Sequence, residues 1–301
     1  MWEVAELALW GVMIGKAVRT DGGPTVNSGL VIRVNKRFGI YRRTGHRVVA
    51  GWLAPEVLDI LAVLDSFQRS ASVSGAVAEI GVHHGRLFIG LNLLQHHDEL
   101  SVAIDVFGDQ DLNIDQSGKG DLAMFRKNVQ RWSSPENVVV HQGDSTQLQA
   151  GELRKLAQGG IRLFSVDGGH TDPIVFSDMK LAEATLSAGG IVIADDVFNQ
   201  DWPGVSTGTL RYMESGGELV PFAIGFNKVC FSTQEYSQMY RDILRREFAS
   251  RYLVLTKSSE FAGHEVLIIS RVPRRPREIA RQSKIARGAY RRVQEWRGRP
   301  S

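Results

Sequence analysis

One cysteine in 301 residues, Cys230, excludes an internal disulfide. It stands in the apolar run Val229-Cys230-Phe231, which suits a buried thiol that packs rather than reacts. No run of about 18 apolar residues occurs, the length that marks a membrane-spanning helix. The N-terminus, Met1-Trp2-Glu3-Val4-Ala5-Glu6, is acidic and has no basic stretch ahead of an apolar one, so no secretory signal is read there. A cytoplasmic location is the expectation from these absences. The chain also lacks Gly-x-Gly-x-x-Gly, the mark of a dinucleotide turn, which counts against a nicotinamide-dependent oxidoreductase.

What is present is the composition of a globular protein, 43% hydrophobic and 23% charged. The net charge of +3 hides an asymmetry. Residues 271–301 hold 11 Lys and Arg against two Glu, a net +9, which leaves −6 on the other 270 residues. In that tail Ile285, Ala289, Val293 and Trp296 fall at helical spacing. A basic amphipathic helix docking on the body, a partner or an anionic membrane surface is one reading. Nucleic-acid binding is another, since basic clusters attract phosphates, although the acidic body opposes extended contact.

The chain is organised around Val77-Ala78-Glu79-Ile80-Gly81-Val82-His83-His84-Gly85. A short apolar run with a carboxylate near its end reads as a buried strand. Gly81 and Gly85 follow, and then an apolar helix over 86–95. Strand, glycine turn and helix make a ligand crevice at the carboxyl end of a sheet. The same alternation continues: strands at 101–105, 138–141, 161–167 and 191–195, with helices at 121–131, 151–158 and 173–186 between them. Repeated βα units predict an α/β fold with a doubly wound, mostly parallel, Rossmann-like sheet. An amphipathic helix starting at Pro55 precedes the first strand. From about 218 the rhythm changes to an antiparallel strand pair at 219–224 and 228–231, a helix over 234–248, and late strands at 252–255 and 265–269. Residues 107–120 and 200–209 read as rim loops, the first of them a lid over the crevice. Three regions result: a 1–47 extension or lid, with a short strand at 30–34 and a basic stretch at 36–47; a 48–270 catalytic domain; and the 271–301 tail.

Four strands end in an acid: Glu79, Asp105, Asp167 and Asp195. Central parallel strands are buried on both faces, so acids at their tips line the crevice instead of the core. Asp105, at the end of the second strand, stands where ribose hydroxyls are bound in nucleotide-binding folds. Gly143-Asp144-Ser145 offers polar contacts for an adenine edge. Asp167, Asp195 and Asp196 come from adjacent strand ends and can converge on a hard divalent cation such as Mg²⁺. His170, in Asp167-Gly168-Gly169-His170, is the candidate general base; capping of the following helix is the competing reading. The pairs His83-His84 and His96-His97 are assigned a turn role and a solvated helix end.

The ordered set Gly51-Trp52-Leu53, Glu79-Ile80-Gly81-Val82-His83-His84-Gly85, Asp105, Gly143-Asp144-Ser145, Asp167-Gly168-Gly169-His170 and Gly189-Gly190-Ile191-Val192-Ile193-Ala194-Asp195-Asp196 resembles class I S-adenosylmethionine-dependent methyltransferases. It is most similar to the bacterial small-molecule and sugar O-methyltransferases that carry an Asp-Gly-x-His metal motif. The resemblance covers about 48 to 232. It implies that Glu79, Gly81 and Gly85 hold the methionine part of S-adenosyl-L-methionine, Asp105 the ribose, and Asp144 and Ser145 the adenine. It further implies a divalent metal, Mg²⁺ or another, on Asp167, Asp195 and Asp196, with His170 deprotonating the acceptor hydroxyl. Two positions depart from the pattern. His83 stands where the first motif has a further Gly, and Leu87 where many relatives have Ser.

The function this implies is O-methyl transfer to a small molecule or saccharide, assisted by the metal. The alternatives are a nucleic-acid-directed methyltransferase and a non-catalytic cofactor-binding protein using the basic tail. Neither the acceptor nor the formation of a homo-oligomer can be read from the residues.

Overall fold

The computed structural model describes residues 32–272 apart from 33, 97 and 252. The basic tail from 273 onward, His97, and most of the strand expected at 30–34 lie outside the described residues. Among the described residues no helix is long and apolar enough to cross a membrane.

Among the described residues nine strands form one sheet, in the order β3-β2-β1-β4-β5-β7-β6-β9-β8. The first five are β1 (Ala76–Ile80), β2 (Ser101–Asp105), β3 (Val138–Gln142), β4 (Ile161–Val166) and β5 (Leu186–Asp195), and they run parallel. The other four are β6 (Leu219–Gly225), β7 (Lys228–Thr233), β8 (Val254–Phe261) and β9 (His264–Arg271). β7 runs antiparallel to β5 and to β6, β9 parallel to β6, and β8 antiparallel to β9. The sequence pattern anticipated the parallel half and the β6–β7 pair. It placed the late strands β8 and β9 but did not join them to the same sheet.

Alternation along β1 sends side chains to opposite faces, as the pleat requires. Val77 joins an apolar cluster with α3 (Pro55–Ser70), α4 (Phe88–Leu94), α5 (Leu122–Trp132) and α9 (Gln234–Phe248). Ala76, Ala78 and Ile80 join a second cluster with α6 (Ala150–Leu156), α7 (Asp172–Thr185) and α8 (Pro203–Glu214). The strand order reverses between β1 and β4, and a crevice opens there beyond their carboxyl ends.

Three local expectations need correction. The stretch at 36–47, read only as a basic part of an extension or lid with no helix assigned, is helical from Lys36 to Val48, as α1 (Lys36–Ile40), a wide turn at Tyr41–Gly45, and α2 (His46–Val48). Asn35 caps it by accepting from the Phe38 amide, and buried Tyr41 donates to the Arg86 carbonyl at 2.6 Å. The second rim loop, 200–209, is mostly α8, with Pro203 in its first turn. Pro-Gly signalled a loop where the proline in fact starts a helix. His96 is not a solvated end; it lies 3.4 Å from Asp65 and 3.1 Å from Glu99.

At the opposite end of the strands from the crevice, Arg162 of β4 is fully buried. It donates to both Glu99 oxygens at 2.9 Å, to Gln68 Oε1 at 2.8 Å and to the Leu94 carbonyl at 2.9 Å, and it lies 3.0 Å from buried Asp65. This network ties α3 and the α4–β2 connection to the sheet. Arg162→Met would take away the buried cation that Asp65 and Glu99 share, leaving Asp65 with the more exposed Arg69 and both acids beside His96. The expected loss is about 3–5 kcal/mol of folding free energy in a denaturant titration, against about 1 kcal/mol or less for Glu56→Gln, whose partner Arg271 is largely exposed.

Candidate active site

The crevice holds a cavity of about 890 Å³. Its walls include Glu79, Gly81, Asp105, Asp144, Ser145, Asp167, His170, Asp195 and Asp196, so nine of the ten residues singled out from the sequence meet at one place. Gly85 stands just behind, where a Cβ would press on the Phe125 ring at 2.9 Å.

The turn after β1 depends on close backbone approach. Gly81 has φ +82, and a Cβ there would lie 1.6 Å from the Asp167 carbonyl oxygen. The β1 and β4 turns can therefore cross only at glycine. His83 (φ 52), Phe107 (φ 48) and Asp196 (φ 57) are non-glycine residues held in the left-handed region beside the cavity. Such strain persists where the surrounding structure over-determines it. Asp105 supplies part of that: its Oδ2 accepts from the His83 amide at 2.6 Å and its Oδ1 from the Phe107 amide at 2.5 Å. Burial raises the Asp105 carboxyl above its usual range, and the two amides pull the other way. Each oxygen keeps a lone pair for a ligand hydroxyl.

Glu79 is buried, and its Oε2 has no hydrogen-bond partner among the described residues. Burial, helped by the neighbouring Asp167 carboxyl, pushes it well above the usual carboxylate range, and Lys228 opposes this. Asp144 caps a short turn, its Oδ1 accepting from the Thr146 amide at 2.9 Å and hydroxyl at 2.8 Å. Behind it lies Asp178 of α7, buried and absent from the sequence reading. Burial pushes this carboxyl up to about 7 against the influence of Ser145.

The acidic end is arranged differently from the expected ligand triplet. His170 lies between two carboxylates: its Nδ1 is 2.9 Å from Asp115 Oδ2, and its Nε2 is 3.3 Å from Asp196 Oδ2. Its amide also donates to Asp115, and its ring stacks on Trp202 with centroids 4.3 Å apart. Burial would lower the His170 pKa, but hydrogen bonding to Asp196 and Asp115 raises it overall. Asp195 is turned instead to Lys228, whose ammonium contacts it and lies 3.5 Å from Asp167 Oδ2. Asn227 donates to Asp196 from the same hairpin.

Three donors, from Asp167, His170 and Asp196, lie within 4.8 Å of one another. They do not fit Mg²⁺ as arranged. Both His170 nitrogens face carboxylates, which favours the protonated ring, and a hard cation prefers oxygen ligands in any case. The Lys228 ammonium meanwhile takes up Asp195 and part of Asp167.

The sequence reading missed Asp115, Asn227 and Lys228. Asp115 lay in a loop read as a lid without a named contact. Lys228 had a signal: a charged residue opening an otherwise apolar strand, directly after a Phe226-Asn227 turn.

Residues 78–197 match the family model described as Methyltransferase domain. The O-methyltransferase NovP superposes over 65% of this chain and 99% of its own length, at 14% identity and a TM-score of 0.52. CalS11, a TDP-rhamnose 3'-O-methyltransferase, covers 58% of this chain and 78% of its own, at 17% identity and a TM-score of 0.41. The O-methyltransferase TomG of Streptomyces achromogenes, solved with SAM, covers 78% and 86%, at 17% identity and a TM-score of 0.40. No curated protein matches the chain. The match runs from β1 to just beyond β5, and the likeness to NovP agrees in fold.

The position of Asp115 has a consequence readable without turnover. Its carboxylate stabilises the imidazolium form of His170. In an NMR titration the His170 ring should titrate above the ordinary histidine value, and Asp115→Asn should move that midpoint to lower pH. An unmoved midpoint would remove Asp115 from the charge balance of His170.

Proposed function

We propose that this chain, with its methyltransferase domain at 78–197, transfers the methyl group of S-adenosyl-L-methionine to a hydroxyl of a small molecule or saccharide. The observation that carries the reading is the buried Glu79 carboxyl: the residue lines the same cavity as Asp105 and the Asp167–His170 turn, and its Oε2 has no close hydrogen-bond partner among the described residues. A buried acid without a partner favours a ligand that brings a cation or a donor. The amino group of the methionine moiety would do so.

In this reading Gly81 leaves space for the cofactor chain, Asp105 accepts from the ribose hydroxyls, and Asp144 and Ser145 face the adenine. The acceptor enters from the side of Trp52, Leu112 and Ile114, apolar residues exposed at the cavity rim. The acceptor oxygen attacks the methyl carbon as the carbon–sulfur bond breaks. Its proton passes to neutral His170, and S-adenosylhomocysteine leaves. Most of the rate enhancement in such a transfer comes from aligning the two reactants. The two carboxylates flanking His170 make it a stronger base and hold its ring in place. The divalent metal implied by the family resemblance has no step in this reaction, because the Lys228 ammonium already pairs with Asp195 and lies beside Asp167, two of the acids it would bind.

Two outcomes test the reading. Calorimetric titration with S-adenosylhomocysteine should give saturable binding, weakened at least about tenfold, or 1.4 kcal/mol, by Asp105→Ala. Absence of binding to the wild-type protein would end the methyltransferase proposal. With an acceptor in hand, His170→Ala should lower kcat by about 10²–10⁴-fold, the usual contribution of a positioned base, while S-adenosylhomocysteine still binds. An unaffected kcat would take the base role away from His170.

A further inference from the structure

A divalent cation needs negative oxygens that nothing else has claimed, and here a hairpin delivers competitors. β5 and β7 are antiparallel, and their register sets Lys228 directly opposite Asp195. The turn between β6 and β7 has Phe226 at φ 54 and Asn227 at φ 69, the left-handed pair that two-residue hairpins require. This tight turn fixes three contacts together. Lys228 meets Asp195, Asn227 donates its side chain to Asp196, and the Asp196 amide donates to the Asn227 carbonyl at 3.1 Å. Lys228 is only 5% exposed, and it lines a small, mostly apolar pocket together with Val57, Ile60, Leu61 and Ile193. Its ammonium therefore cannot swing into solvent to admit an ion, as a surface lysine would.

We propose that Lys228 is the resident cation of the strand-end acids: its ammonium takes the place between Asp167 and Asp195 that a divalent metal would need, and so excludes the metal from this site. The family resemblance implies a metal on Asp167, Asp195 and Asp196; this chain answers the same concentration of negative charge with a side chain. A monovalent point charge with three donors holds carboxylates apart and oriented. It offers no open coordination position, so the acceptor oxygen is not ligated at this end of the cavity and relies on His170. The inference concerns cation binding alone and stands or falls without any methyl-transfer assay.

The test is titration of the full-length protein with Mn²⁺, followed by calorimetry and by the loss of free Mn²⁺ signal in electron paramagnetic resonance. Wild type and Lys228→Arg, which keeps the charge, are expected to bind Mn²⁺ at least about tenfold more weakly than Lys228→Met, which keeps the stem and frees the carboxylates. Wild type binding as tightly as Lys228→Met, or no gain in Lys228→Met, would overturn the proposal. Should Lys228→Met fail to fold, the wild-type protein decides alone. Its thermal midpoint should be unmoved by millimolar Mn²⁺, whereas a concentration-dependent rise would show that the native state binds the ion and that Lys228 does not exclude it.

Discussion

Five parallel strands that end along one line concentrate negative charge, and the site depends on how that charge is balanced. Parallel pairing sets the carboxyl ends of β1, β2, β4 and β5 side by side, and Glu79, Asp105, Asp167 and Asp195 come with them. Three different solutions appear within one cavity. Asp105 is satisfied by backbone amides. Asp167, Asp195, Asp196 and Asp115 share Lys228 and His170. Glu79 keeps an oxygen with no close hydrogen-bond partner among the described residues, with Ser165 and Lys228 its nearest favourable neighbours. That difference separates what the fold completes for itself from what it leaves for a ligand.

Backbone geometry supports the same division. The crossing of Gly81 under the Asp167 carbonyl joins the proposed cofactor turn to the acidic turn as one rigid unit. Alignment of two reactants needs such a unit, since a displacement of an ångström lowers rates steeply. The loop that follows Asp105 adds an adjustable part. It carries Asp115 across the cavity to His170, so the position of that loop and the basicity of the proposed base are linked.

The sequence disclosed most of the parallel half of this fold because its signals were redundant: apolar runs, glycine turns and helical periodicity agreed at each βα unit. It disclosed the wall of the site for a related reason, since an acid at the tip of a buried strand has nowhere to go but the crevice. It failed where a contact crosses the sheet. Lys228 reaches Asp195 through antiparallel pairing between strands that are not consecutive in the chain, and the register of that pair is invisible before the strand order is known. Asp115 failed for a different cause. A polar loop of fourteen residues contains two other acids, Asp109 and Asp111, and nothing local says which one turns inward. The helix α8 was hidden by Pro203-Gly204, where the same dipeptide can stop one helix or begin the next.

The most direct test of the account is a crystal structure of the protein with S-adenosylhomocysteine bound. Density for the ligand should run through the crevice from the Gly81 turn, with its amino group on Glu79, its ribose hydroxyls on Asp105, its adenine beside Asp144 and Ser145, and its sulfur facing His170. Ligand seated elsewhere on the protein, or in the crevice with its sulfur turned away from the Asp167–His170 turn, would contradict the account.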